Sequence, residues 1–218
     1  MKERKSSLLV PLVTLAGLAF IGGIMLVATQ ADSDPVGPNY DMYNRVLTIG
    51  LALMFVAAVW IAREIRRGSR AGAKAARAVA VGFGLMLAGN VLEFWGSLAT
   101  GTETEKTAER LGHEGAFWGS LLGWIVFLAG SITAAVALII VARAARRWGA
   151  TRSQRWAIGA SGPMQGAATA LWAVGPLAAA VPAVAFAFGF LSLATAVVHA
   201  DQHATLHVGS PAATSARA

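Results

Sequence analysis

Glu93 is the residue in this 218-residue chain best placed to do chemistry, because it is the single charge in the apolar run from Ala78 to Thr100. At 1.5 Å per helical residue it lies about 10 Å below the outer end of that run. A charge at membrane depth costs about 2.5–3.5 kcal/mol or more near the bilayer centre, so such an acid faces protein or water and has a partner. Two uses follow. Glu93 is either a proton, cation or substrate-positioning site, or a structural acid held protonated or paired with Arg45. Helical spacing sets Gly82, Met86, Gly89, Asn90, Glu93 and Ser97 on one stripe. Its mix of small and polar residues predicts that it faces other helices, with Asn90 hydrogen-bonding across the contact.

Two groups of histidines come next. His113 and Glu114 precede a later apolar run and, with Glu93, offer mixed nitrogen and oxygen ligands for a divalent cation; the plainer reading is an exposed loop leading into a helix. His199, His203 and His207 recur at steps of four, which on a continued helix stacks three imidazoles on one face, a spacing suited to a transition metal. Against a metal stand Gly209, Ser210 and Pro211, which predict a frayed end where a closed site needs rigid ligands.

The sequence excludes several chemistries. It has no cysteine, hence no disulfide, thiolate nucleophile or cysteine-held cluster. It has no Gly-rich phosphate loop, no Ser/His/Asp set, no His-Glu-x-x-His helix, and no lysine within an apolar run to form a Schiff base. No cofactor is strongly implied. Acid–base chemistry at Glu93 needs a second positioned group, for which Asn90, Arg45 and His113 are the candidates.

The elements that must position these residues are membrane helices. Hydrophobic residues make up 56% of the chain and charged ones 13%, against roughly 25% charged in soluble domains. Crossing about 30 Å of hydrocarbon takes roughly 20 helical residues. The expected fold is an all-α, polytopic transmembrane bundle. Its six spans fall at about 8–29, 46–62, 78–100, 116–142, 157–177 and 181–200, forming one domain over 8–200 between an N-tail (1–7) and a flexible C-tail (201–218). Pro176 and Pro182 mark the expected turn between the last two spans. A five-span alternative lays the segment from Trp156 to Leu177 on the membrane surface, which would need a polar face that the segment lacks.

Charge orients the bundle. Of 18 Lys and Arg, 14 fall in three segments, Lys2 to Lys5, Arg63 to Arg77 and Arg143 to Arg155, which alternate with apolar runs. The net charge of +7 and pI near 10.8 are therefore a topology signal with some attraction to anionic headgroups, and not a nucleic-acid surface. Positive-inside bias places both termini in the cytoplasm. With six spans His113 lies outside and His199, His203 and His207 inside, so no pair can clamp a haem within the bilayer; five spans reopen that option.

Gly119 with Gly123, and Gly162 with Gly166, form small-xxx-small patterns that pack helices within the chain or against a partner. Pro163 and Gln165 between them predict a local kink, a feature of some transporter sites. Arginine outnumbers lysine 14 to 4 and alanine is abundant, composition that suits a GC-rich bacterial source and its inner membrane. The function expected is a non-enzymatic interaction or accessory subunit, joined to a membrane-protein partner or a second copy. The alternative is a small-solute or proton-coupled ion transporter centred on Glu93, and third a metal- or haem-binding membrane enzyme.

Overall fold

The computed structural model describes residues 8–30, 40–68, 70–92, 114–171, 174 and 176–209. Those residues are almost all helical and include no strand. Six helices follow one another: α1 (Leu9–Gln30), α2 (Tyr40–Arg67), α3 (Ala73–Asn90), α4 (Glu114–Ala145), α5 (Arg152–Leu171) and α6 (Pro176–Gly209), with a short 3-10 turn, Arg146–Trp148, after α4.

Local chemistry explains the helix ends. Gly72 before α3 and Gly149 before α5 both take left-handed backbone, at φ 90° and 83°, a conformation that costs glycine little. At the start of α5, the Gln154 backbone N–H donates to Thr151 Oγ1 at 3.2 Å while the Thr151 N–H donates to Gln154 Oε1 at 2.9 Å. This reciprocal capping box satisfies two backbone donors, and it starts α5 at Arg152, five residues before the span predicted from hydropathy. At the other end of the hairpin Pro176 opens α6 as expected, whereas Pro182 lies inside that helix without ending it. Pro163 is likewise carried within an unbroken α5. The last helix runs on to Gly209, so the predicted tail at 201 begins too early.

Each helix packs on its neighbours in chain order, and α6 returns to pack on α1, closing a six-membered ring. The pairings are antiparallel. A Cβ on Gly23 would meet Leu47 while one on Gly50 would meet Phe20, so α1 descends as α2 rises. The α3–α4 contact is tight: a Cβ on Gly82 would lie 2.7 Å from the Gly130 carbonyl, and one on Gly89 2.6 Å from the Gly123 carbonyl. Both glycine pairs are seven residues apart on their own helix, two turns along one face, so the two backbones touch at matching heights.

Aromatic side chains fill the middle of the ring. Phe20 of α1, Phe83 of α3, and Phe186 and Phe190 of α6 are all fully buried. Phe186 sits 5.0 Å from Phe20 and 6.0 Å from Phe83, and Phe83 lies 5.4 Å from Phe190, centroid to centroid. Such tilted and edge-to-face contacts each add about 0.5–1.5 kcal/mol beyond burial. The outer surface is the reverse of a soluble protein, with Leu18, Ile49, Val81, Ile132, Val181 and Phe188 more than half exposed.

Within the described residues, four helices are long and apolar enough to cross a membrane: α1, α2, α4 with its trailing turn, and α6. This makes the chain a multi-pass membrane protein. The other two begin with polar turns, Lys74 and Arg77 in α3 and Arg152 to Arg155 in α5, which dilutes their hydropathy below the six-span expectation.

Candidate functional site

Asn90 is the one predicted site residue whose role can be followed in full. It ends α3, is 2% exposed, and donates through Nδ2 to Thr48 Oγ1 of α2 at 2.7 Å. Of the stripe expected to face the bundle, Gly82, Met86, Gly89 and Asn90 are all buried, while Glu93 and Ser97 lie outside the described residues. Arg45, exposed, lies three residues before Thr48 on α2, so Asn90 and Arg45 share one end of the α2–α3 pair. Glu93 and His113 lie outside the described residues, and Glu114 opens α4 with its side chain outside them as well.

A second polar contact joins α4 to α5. Ser131 Oγ donates to Gln165 Oε1 at 2.7 Å, Gln165 Nε2 donates to Thr169 Oγ1 at 3.1 Å, and Thr169 Oγ1 donates to the Gln165 carbonyl at 3.1 Å. Ser131 and Gln165 are buried. Gln165 ties two helices together. Beside it, the Gly162 and Gly166 pattern faces α4, where a Cβ on Gly162 would stand 2.5 Å from Ala135 Cα and one on Gly166 would meet only Ser131 Oγ at 3.9 Å. Gly123 packs on Gly89 of α3; Gly119 lies in α4, its surroundings outside the described residues.

The third polar region is at the arginine-rich end, and hydropathy gave no sign of its organisation. Arg70, in the turn between α2 and α3, is 10% exposed in its side chain and donates through Nη2 to Asp201 Oδ1 of α6 at 2.5 Å. Trp148 Nε1 donates to the Ala71 carbonyl at 3.0 Å. One turn is thus held by α6 and by the segment after α4 together. The signal available in the sequence was Asp201, the only Asp or Glu after Glu114.

These arrangements are structural in type. Neutral amide and hydroxyl groups join α2 to α3 and α4 to α5, and the buried polar residues among those described (Asn90, Ser131, Ser161, Gln165 and Ser192) all hydrogen-bond. None of these side chains is an acid or base poised to move a proton. Among the described residues no three His, Asp or Glu side chains gather to hold a metal ion. His199 is exposed on α6; the helix carries on through His203 and His207, whose side chains lie outside the described residues. No protein-family model, curated protein or solved structure matches this chain.

Proposed function

We propose that this chain is a six-span protein of a bacterial inner membrane, with both termini cytoplasmic, which works by assembling with another membrane protein or a second copy of itself. The observation that carries the reading is the aromatic filling of the ring. Phe20, Phe83, Phe186 and Phe190 occupy the space where a transporter would need a polar lining. The remaining buried polar groups among the described residues bond at helix contacts or to their own helix.

Antiparallel packing supports six crossings. The α2–α3 turn, the segment after α4 and the residues around Asp201 meet at one end, and each of these returns to the same side after an even number of helices. The arginines at that end support placing it on the cytoplasmic side.

Site-specific photo-cross-linking from the outward positions Ala160 and Ala170 on α5, in the native membrane, tests the assembly. A discrete cross-linked product of constant mass is expected. Purification in mild detergent as a lone, monodisperse monomer, with no cross-link from either position, would overturn the proposal. A reporter fused after Ala218 is expected to lie in the cytoplasm; a periplasmic result would overturn the six-span topology.

A further inference from the structure

Between α2 and α3, at the arginine-rich end, the surface opens into a groove of about 420 Å³ lined by Phe55, Val59, Arg63, Arg66, Arg77 and Val81, with Ala62 and Ala80 at its floor. That volume falls in the range of small-ligand sites, roughly 300–1,000 Å³. From Phe55 to Arg66 the groove follows α2 for about 16 Å at 1.5 Å per residue. Its two ends differ in kind. Toward the middle of the bundle the lining is Phe55, Val59, Ala80 and Val81; toward the turn, three guanidinium groups converge from two helices.

No acid among the described residues neutralises those charges. Arg63, Arg66 and Arg77 make no ion pair with any described residue. The nearby acid Glu64 is engaged elsewhere, holding Arg67 at 2.6 Å. An amphipathic groove with a cationic mouth at the membrane–water boundary complements one class of molecule: an anion carrying a hydrocarbon chain. We propose that this groove binds an anionic phospholipid, its phosphate on Arg63, Arg66 and Arg77 and an acyl chain laid along Phe55, Val59 and Val81. Arginine suits the role because its planar fork presents paired donors to phosphate oxygens. Basic pockets between helices on the cytoplasmic side are a recognised form of headgroup site. The inference is separate from the assembly proposed above and needs only that this end of the bundle lie at the headgroup level.

Native mass spectrometry of the full chain, released from detergent with added phosphatidylglycerol or phosphatidylcholine, tests it. Preferential retention of phosphatidylglycerol is expected. In the triple variant Arg63→Gln, Arg66→Gln, Arg77→Gln that affinity should fall on the order of a hundredfold, at about fivefold per arginine near the surface. The matched variant Arg143→Gln, Arg146→Gln, Arg147→Gln removes equal charge at the same end and should lose no more than a few-fold. Val81→Trp keeps every charge but fills the apolar half, and it too should lose the lipid. Equal retention of both lipids, or equal losses in the two triple variants, would overturn the site. Displacement of the lipid by millimolar inorganic phosphate would overturn it as well, because the groove would then be reading a free anion.

Discussion

Arg70 and Asp201 are 131 positions apart in the chain and 2.5 Å apart in the structure. Their bridge joins the α2–α3 turn to the end of α6, on the flank where Trp148 grips the same turn through the Ala71 carbonyl. The arginine side chain is 10% exposed and the aspartate 34%, a setting between an exposed pair, worth up to about 1 kcal/mol, and a buried one. Arg70→Gln is therefore expected to cost about 1–2 kcal/mol, read as a drop of a few degrees in melting temperature in detergent. Combined with Asp201→Asn it should cost less than the two single losses added together. Strict additivity in that cycle would show that the bridge contributes nothing.

Asn90→Ala should weaken the bundle by about 0.5–1.5 kcal/mol, the usual range for a hydrogen bond between membrane helices. Thr48→Val removes the same bond from the other side, so the double variant should resemble the weaker single variant. If Thr48→Val left stability untouched while Asn90→Ala lowered it, Asn90 would owe its importance to another contact.

Gly162 and Gly166 form one sequence pattern yet should respond differently. A methyl at Gly162 would press on the backbone of Ala135, which cannot yield without moving α5 off α4; at Gly166 the nearest atom stands at ordinary contact distance. Gly162→Ala is expected to reduce the yield of folded protein severalfold, and Gly166→Ala to leave it unchanged, as judged by size-exclusion chromatography after detergent extraction. Equal tolerance at both positions would contradict the close α4–α5 approach.

Phe186→Ala removes a ring that touches both Phe20 and Phe83. The cost should be about 3–5 kcal/mol, as for other buried Phe deletions. Phe188→Ala, two residues on and on the opposite, exposed face of α6, should cost less than about 1 kcal/mol. Thermal unfolding of the two variants side by side checks the assignment of inward and outward faces.

Much of the architecture could be read from hydropathy and charge, because apolar length and arginine placement are local properties of the chain. The helices described fall on the six apolar runs, and the inward placement of Gly82, Met86, Gly89 and Asn90 on α3 followed from a simple period. What escaped was set by contact between distant segments. Nothing local to Arg70 reveals that it meets Asp201, and Thr48 became a partner only once α2 and α3 lay side by side. Nothing near Gln165 in the sequence shows that its amide accepts from Ser131 of the preceding helix. The true start of α5 was hidden for another reason. Thr151, Ser153 and Gln154 lower hydropathy while strengthening the helix terminus, so a span and its helix need not share an end. Glu93 and His113, the leading candidates by residue type, lie outside the described residues, so their role rests on the sequence argument.

The closure of the ring by α1 and α6 bears on how the protein is made. A ribosome delivers helices in order, so α2 through α5 can each dock on the one before as soon as it enters the bilayer. Gly50 of α2 lies against the Phe20 backbone, but the face of α1 carrying Gly17 and the Phe20 ring has no such companion, since Ala187 and Phe186 emerge only with the last helix. Through most of synthesis that face must lie against lipid or against the insertion machinery, and truncation before α6 would leave it there. Quality control in the membrane therefore has a definite feature to recognise in an unfinished chain: an uncovered glycine and phenylalanine on its first helix.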